Sequence, residues 1–351
     1  MRLQFVPPYP DELLSSWLIR TAIDHGCTPL TLTYAIWGSS WRPWAADMDL
    51  NISDDRLIPL LSNTLSLQQI TKLTLKGINQ RINGENEQLR RWITKLGVRN
   101  LDRTGGLKFC PLCLLEYGYI KQQWRVVWNV YCEIHNVLLQ SYCEQCSLAF
   151  SPHKMSFDNL NVSYCPRCSG QLSKQAYKFE ISEIKAIQKN LNVLLLQNES
   201  QSAAKELREI LDIYGFFLRF VNSASLIRST ADQRLLDRLE LNLNKKNNIK
   251  EGIEKMPSEW MIELFKILVL VREKSVSDLA MYFNELGYTQ QSFISRLPAY
   301  KFEFLQNFLS LLPSSPRKPK CINKGRFIET VHPLPREEVL KKWELLKKKM
   351  K

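Results

Sequence analysis

Histidine is scarce in this chain, and several signatures of catalysis are missing. The 351 residues include four histidines, of which His25 and His332 have no acidic or cysteine neighbour in a recognised spacing. Neither the G-x-x-x-x-G-K-[ST] loop nor the G-x-G-x-x-G turn occurs, which excludes the nucleotide sites that these loops build. We therefore expect a protein that has no catalytic residues and is not an enzyme.

Long apolar runs are also missing. The longest candidate, Met261 to Val271, is interrupted by Glu263 and Lys266 and is shorter than the ~20 apolar residues of a membrane span. The segment after Met1 has neither a long apolar run nor a small-residue cleavage site. The sequence therefore predicts a soluble, cytoplasmic protein whose thiols stay reduced.

Metal-ligand pairs are concentrated in the middle of the chain. Three CxxC pairs and one CxxH pair occur within 59 residues: Cys110 and Cys113, Cys132 and His135, Cys143 and Cys146, Cys165 and Cys168. Each ligand of the first four lies 33 positions before one of the last four, which is an internal repeat. Two residues between ligands let a tight turn aim both at one ion, and zinc takes four such ligands at tetrahedral corners. The pattern predicts two structural Zn²⁺ ions, each closed to water and substrate.

The pairing of the ligands stays open at this stage. The common offset favours sequential pairing, in which the first four ligands hold one ion and the last four hold the other. A cross-braced arrangement, first pair with third and second with fourth, is the alternative. His153 lies between Cys146 and Cys165 and could replace a ligand of the second set.

Other uses of these cysteines fit the pattern less well. Disulfides or buried free thiols would suit a single CxxC pair, but not four ligand pairs in so short a stretch. A histidine among thiolates, and two separate sets of four, favour zinc over an iron–sulfur cluster. Cys27 and Cys321 stand alone and are interpreted as ordinary thiols.

Apolar periodicity predicts a mainly α fold. We expect four parts: an N-terminal helical, helix-turn-helix-like domain (1–105), a tandem zinc-binding module with short strands (106–176), a C-terminal helical domain (177–312), and a basic linker with a terminal helix (313–351). In the first part, Asp11 is the predicted cap of a helix that ends at Gly26, and Thr28-Pro29 begins the next. The sequence pattern of this pair resembles a helix-turn-helix, but other kinds of helix pair have the same pattern.

Two further segments carry structural predictions. Glu85 to Leu96 is predicted to be a helix that bears Arg90 and Arg91. The β-branched and aromatic run from Tyr119 to Tyr131 indicates a strand. Its rings either pack around a metal-stapled core or form a stacking platform for bases.

The charge is strongly basic and uneven. The net charge is +13, and seven thiolates with two Zn²⁺ ions would lower it to roughly +10. Residues 313–351 contain 12 Lys or Arg and 4 Glu. This balance suggests a polyanionic partner, although a solubilising tail would have the same composition.

A second helix-turn-helix-like pattern lies at Ser275 to Leu297. A helical hairpin in a bundle has the same sequence pattern and is the alternative. From these patterns we select eight candidates for contacts with nucleic acid or a partner: Arg90, Arg91, Arg125, Gln290, Gln291, Arg296, Lys318 and Lys320.

Two stretches resemble a known family. Pro10 to Arg20 looks like the N-terminal signature of the TniQ/TnsD family of transposition target-selection proteins. The segments Phe109 to Tyr119 and Trp124 to Asn136 resemble the zinc-finger core of that family, and Cys143 to Cys146 fits its next knuckle. The resemblance covers roughly residues 1–170.

The resemblance implies an adaptor. Family members mark the insertion site of a cut-and-paste transposon and recruit an AAA+ ATPase regulator, which then recruits the transposase. Some bind an attachment sequence themselves, and others ride on an RNA-guided, Cascade-like CRISPR effector. The intermediate length of this chain is near that of effector-riding members, and a head-to-tail homodimer is also implied. Three hypotheses follow: an adaptor for RNA-guided transposition, a direct reader of an attachment site, and a zinc-containing transcription regulator outside transposition.

Overall fold

The computed structural model describes residues 3–62, 65–86, 90–96, 107–197, 200–241, 252–256, 258–295, 303–314 and 343. Residues 1–313 form one compact unit and residues 314–351 form a second. In the second unit Trp343 is helical and 57% exposed. The rest of the predicted terminal helix lies outside the described residues.

The described part of the first unit is mainly helical, as the sequence predicts. Seven helices precede or enter the cysteine-rich region: α1 (Leu14–Asp24), α2 (Pro29–Trp37), α3 (Met48–Asn51), α4 (Asp54–Leu57), α5 (Leu67–Lys72), α6 (Lys76–Asn83) and α7 (Pro111–Glu116). A small hairpin follows, in which β1 (Tyr131–Cys132) pairs antiparallel with β2 (Val137–Leu138). Seven more helices complete the unit: α8 (Ser182–Leu196), α9 (Gln201–Ala224), α10 (Thr230–Arg238), α11 (Ser258–Glu273), α12 (Val276–Glu285), α13 (Gln290–Ile294) and α14 (Glu303–Ser310).

Local sequence signals account for the beginning of α2 but not that of α1. The Thr28 hydroxyl accepts a hydrogen bond from Thr31 N, and Pro29 occupies the first turn of α2, where its missing N–H is not needed. Asp11 does not cap α1, contrary to the sequence prediction. Its carboxylate instead accepts hydrogen bonds from Tyr119 Oη (2.8 Å) and Lys121 Nζ (2.6 Å).

The predicted helix at Glu85 to Leu96 and the predicted strand at Tyr119 to Tyr131 are both wrong for the residues that the structure describes. Residues 90–96 are irregular and form one bridge to Val126 through Ile93. Residues 122–125 form a 3-10 turn, and the strand begins only at Tyr131. Tertiary contacts override local propensity here, because the chain must turn repeatedly to bury its tryptophans.

Two clusters of buried side chains organise the first unit. The larger one takes side chains from all three predicted parts up to residue 312, including Trp92, Trp128 and Phe217. The smaller one lies around Trp17 and Met48 among the N-terminal helices. Among the described helices, none is both long enough and apolar enough to cross a bilayer.

Candidate metal centres

The first set of ligands lies where α7 approaches the β1–β2 hairpin. Cys110 precedes α7 and Cys113 lies in its first turn. Cys132 ends β1, and His135 lies in the turn before β2. The helix start and the hairpin turn each direct two ligand atoms toward one point. Each of the three cysteines is 2% exposed or less, and His135 is half-buried.

The distances in this set fit one tetrahedral ion. The Cys113 and Cys132 sulfurs are 3.6 Å apart. His135 Nδ1 lies 3.4, 3.2 and 3.8 Å from the sulfurs of Cys110, Cys113 and Cys132. Zn–S bonds of ~2.3 Å at tetrahedral angles require sulfurs about 3.8 Å apart, and a nitrogen slightly closer. These side chains therefore fit a four-coordinate Cys₃His zinc site.

A carboxylate fixes the orientation of the histidine. His135 Nε2 lies 2.9 Å from Glu116 Oε2. With Nδ1 directed at the sulfurs, Nε2 carries the proton and donates a hydrogen bond to this carboxylate. Such a contact sets the ring tautomer and makes the ligand nitrogen more basic. Backbone N–H of Cys113 also donates to Cys110 Sγ at 3.4 Å, which stabilises a thiolate there.

The second set of ligands is Cys143, Cys146, Cys165 and Cys168. The ligand atoms of each set all lie within 4.8 Å of one another. The sulfurs of Cys143 and Cys168, and those of Cys146 and Cys165, are 3.7 Å apart, which again fits a tetrahedral ion. The structure thus brings together the sequentially paired ligands.

Three of the four ligand pairs use the same tight turn. The residue after the pair, Asn136, Ser147 or Ser169, has a φ of 55° or 56°. Its N–H donates to the carbonyl of the first ligand at 2.7–3.0 Å. Left-handed residues of this kind let the chain reverse within a few residues. The first pair differs, because α7 continues from it.

Burial sets the condition for metal uptake in the second set. It raises the pKa of Cys143 to about 12, and it also raises the pKa of Cys146. The pKa of Cys168, in contrast, is lowered against the opposing effect of burial by its hydrogen bonds from the Gly170 backbone and the neighbouring cysteines. A divalent ion with a preference for sulfur displaces the remaining protons, and its binding becomes folding free energy.

His153 does not join the second set. Its ring stacks on Trp44, with centroids 4.9 Å apart and an interplanar angle of 8°. Both side chains line a cleft near Asp47 and Phe150. Burial lowers the pKa of His153 to about 4, with a smaller effect from Lys154. His153 is therefore a neutral packing residue, and the swap considered from sequence is wrong.

Arg125 is inaccessible to a nucleic acid or protein partner. It is 1% exposed, and its guanidinium pairs with Asp47 Oδ2 (2.7 Å) and Asp49 Oδ2 (3.1 Å) and donates to Thr94 O (3.1 Å). Asp49 in turn accepts from the backbone and hydroxyl of Ser15. The interpretation of Arg125 as a contact residue is corrected accordingly, because a buried guanidinium with two carboxylates is structural.

The other contact candidates are distributed over separate places. Arg90 donates to Asn51 Oδ1 (3.3 Å) and Arg91 pairs with Asp212 (2.6 Å). Gln290 Nε2 donates to Leu312 O (3.1 Å), whereas Gln291 is exposed. Arg296, Lys318 and Lys320 lie outside the described residues.

Sequence reasoning missed a buried lysine beside the first set of ligands. Lys108 is 2% exposed, and its Nζ donates to the carbonyls of Val126, Val127 and Asn129 at 2.9–3.1 Å. These three bonds hold the loop that leads into β1. The only sequence signal was its position two residues before Cys110, which does not distinguish it from an exposed lysine.

The comparisons with known proteins agree with this geometry. Residues 3–139 match the TniQ family. The match includes α1 to α7 and the complete first set of ligands, and it ends before Cys143. No protein of curated function matches the sequence.

Proposed function

We propose that this chain, whose residues 3–139 match the TniQ family, links an RNA-guided effector complex to the AAA+ ATPase regulator of a transposon. The TniQ domain itself indicates a target-selection protein of transposition, in a family of non-catalytic adaptors. The observation that carries the finer proposal is the resemblance of the first half of the chain to that family.

The metal centres support a scaffold role. We propose that Cys110, Cys113, Cys132 and His135 hold one Zn²⁺ and that Cys143, Cys146, Cys165 and Cys168 hold a second. Bound zinc would supply folding free energy. With four protein ligands at each ion, no position remains for water or substrate. The three cysteines of the first set also belong to the large core, so the centre would hold the docking surfaces in fixed relation.

The surface of α2 favours a protein partner over DNA. This helix is the second of the helix-turn-helix-like pair, and it contains no charged residue. Leu30 and Tyr34 on its outer face are 50% and 66% exposed. A recognition helix in the major groove needs donors and cations along this face. Exposed apolar side chains are typical of protein interfaces instead.

Reconstitution tests this proposal. The purified chain, loaded with zinc, should co-purify with a Cascade-like complex without target DNA, and the AAA+ ATPase should join that assembly. The double variant Leu30→Ala, Tyr34→Ala should no longer bind one of the two partners, the Cascade-like complex or the ATPase. It should keep its zinc content and its unfolding temperature. Wild-type protein that binds neither partner would contradict the proposal.

Direct reading of an attachment site is the second candidate. The net charge of +13 and the basic segment 313–351 favour it. It requires binding to one DNA sequence at about nanomolar protein and moderate salt, well above binding to other sequences. Equal, weak binding to every duplex would exclude it. A transcription regulator remains a third reading, and flanking genes without transposase or ATPase would favour it.

A further inference from the structure

Tyr9, an exposed tyrosine near the first set of ligands, holds a cation on its ring. The guanidinium of Arg20 lies over this ring, with Cζ 4.3 Å from the ring centroid. The same guanidinium pairs with Glu12, with Nε 2.8 Å from Oε1, and Glu12 Oε2 accepts a hydrogen bond from Tyr9 N at 3.1 Å. An aromatic ring attracts a cation within about 6 Å of its centroid, and the carboxylate holds the cation there. Ring, carboxylate and cation therefore form one unit.

A second unit of the same kind adjoins the first. Lys121 Nζ lies 5.6 Å from the ring centroid of Tyr119 and 2.6 Å from Asp11 Oδ2. The rings of Tyr9 and Tyr119 stack on each other, with centroids 4.4 Å apart and an interplanar angle of 20°. In both units the chain provides a tyrosine, a carboxylate and a basic side chain, so this surface uses one arrangement twice.

Tyr117 continues the row of tyrosines but has no cation. Its ring centroid lies 6.4 Å from that of Tyr119 and 6.4 Å from that of His135. Glu116 contacts the same imidazole, since its Oε2 lies 2.9 Å from His135 Nε2. Ring and carboxylate thus converge on one side chain, and each is nearly half exposed. Among the described residues, no lysine or arginine lies over the ring of Tyr117 or pairs with Glu116.

The candidate metal centre does not provide the missing positive charge. With zinc bound, His135 is a neutral imidazole, and three thiolates with one Zn²⁺ give the four ligands a net charge of −1. Glu116 therefore keeps its negative charge beside the centre, in a chain whose net charge is +13. A phosphate group is repelled at this place, whereas a cation is attracted by the carboxylate and by the ring.

Apolar side chains border this third pair of ring and carboxylate. Leu115 precedes Glu116 and Ile134 precedes His135, and these two apolar residues are 51% and 55% exposed. Exposed apolar side chains that lie together mark protein interfaces. We call Leu115, Glu116, Tyr117 and Ile134 the Tyr117 patch. It offers apolar contacts, an aromatic ring and a carboxylate, which together fit a segment with basic and apolar side chains.

We propose that the Tyr117 patch binds a basic segment of a protein partner, with an arginine of that segment over the ring of Tyr117 and paired with Glu116. The partner would complete the unit that the chain completes by itself at Tyr9 and Tyr119. Arginine suits this place better than lysine, because a guanidinium is weakly hydrated, stacks on a ring and forms two hydrogen bonds with a carboxylate. The proposal rests on the proposed function and adds to it a partner surface at the first metal centre.

Fluorescence anisotropy with the full-length, zinc-loaded protein tests the proposal. The probe is a short labelled peptide in which arginine alternates with proline, since proline keeps the peptide extended at little entropic cost. We expect Tyr117→Leu to weaken binding of this peptide about twofold to fivefold. Tyr117→Phe keeps the ring and should bind like wild type. Phe157→Leu removes an exposed ring from the segment between Cys146 and Cys165 and should leave the affinity unchanged.

The carboxylate and the charge of the peptide are tested separately. With zinc in excess, Glu116→Gln should weaken binding by a similar factor, and added salt should weaken binding to wild type because surface charges are screened. A peptide with glutamate in place of arginine should not bind. Binding of both peptides with equal affinity would overturn the inference, as would wild-type protein that does not bind the arginine peptide.

Zinc content and thermal unfolding identify the variants that are folded. A folded Tyr117→Leu protein that binds the arginine peptide as tightly as wild type would overturn the inference. So would a Tyr117→Phe protein that binds as weakly as Tyr117→Leu, because the ring would then not be the group that holds the cation.

The peptide measurement is independent of the proposed function, since it uses the purified chain alone. If wild-type protein assembles with neither the effector nor the ATPase, the proposed function fails, and the anisotropy result still decides the Tyr117 patch. If wild-type protein assembles with both but Tyr117→Leu does not change peptide binding, the proposed function stands and the inference fails.

Discussion

The two candidate metal centres share a ligand spacing but differ in their surroundings. In the first, all three cysteines are buried and the histidine is held by Glu116. In the second, Cys146 and Cys168 are half-buried, and no equivalent carboxylate contacts a ligand among the described residues. One repeat has thus given rise to a centre with three buried ligands and a centre with two, both packed in the large core. Spacing determines which atoms meet, and packing determines how tightly they are enclosed.

Loss of a ligand from the buried centre should have the largest effect. Cys113→Ala should unfold or aggregate the protein, because structural zinc contributes on the order of 10 kcal/mol, comparable with the whole stability of a domain. Soluble yield, zinc content and thermal unfolding measure this. A soluble, cooperatively folded Cys113→Ala protein with two zinc ions would show that the first centre is not required for folding.

Cys146→Ala is the matched change in the outer centre. We expect a soluble protein that retains one zinc and unfolds at a lower temperature, since Cys146 is only half-buried. Equal damage from both substitutions would show that the centres do not differ.

A chelator should empty the outer centre first. Exposed sulfurs are accessible to a competing ligand, whereas the buried set must first open locally. With excess chelator and a colorimetric zinc indicator, release should be biphasic, and the faster phase should be missing from Cys146→Ala. A single phase for wild type would remove the distinction.

Glu116→Gln should weaken the first centre without destroying it. Loss of such a partner lowers metal affinity by about tenfold to a hundredfold, and we expect the lower figure because Glu116 is 48% exposed. Competition with a chelator of known affinity measures the change. Glu144→Gln, near the second centre, should leave the affinity of the first centre unchanged.

A change of pH tests His153, which stacks on Trp44 and does not join the second set of ligands. Its folded pKa of about 4 lies below the ordinary value of about 6.5. The unfolded chain therefore takes up a proton first as pH falls. The stabilisation by the neutral ring is complete above pH ~6.5 and is lost as pH falls toward 4, by about 2 kcal/mol at pH 5.

His153→Phe should remove this pH dependence. The unfolding free energy of the variant, relative to wild type, should rise as pH is lowered from 7 to 5. Metal loss at low pH affects both proteins, so it cancels in the difference. A constant difference between the two curves would show that His153 is not buried as a neutral ring.

Sequence reasoning was most successful where the interaction is local. Thr28 and Pro29 mark the beginning of α2, and the pairs of ligands two residues apart form tight turns, because only neighbouring backbone atoms take part. It failed for residues 90–96 and 119–131, whose conformation depends on distant partners such as Val126 and Thr94. The resemblance to the TniQ family was confirmed by the match over residues 3–139. It could be recognised in the sequence because its motifs contain the first set of ligands and the signature at α1.

Charged residues show the same limit. Nothing in the sequence around Arg125 distinguishes it from an exposed arginine. The carboxylates that bury its charge belong to Asp47 and Asp49, which lie 78 and 76 positions away. The partners of Lys108 and Arg91 were likewise not recognisable in the linear order: Lys108 bonds to carbonyls 18 to 21 positions away, and Arg91 and Asp212 are 121 positions apart.

The sequence alone determined the chemistry of the chain: eight ligands in two sets of four, a mainly helical framework and a TniQ signature. Ligand geometry is set by two-residue spacings, so it can be deduced from the linear order. Only the tertiary structure decided how the ligand pairs combine, which centre is more enclosed and which charged side chains are buried. These properties depend on packing between segments far apart in the chain, and no local pattern encodes them.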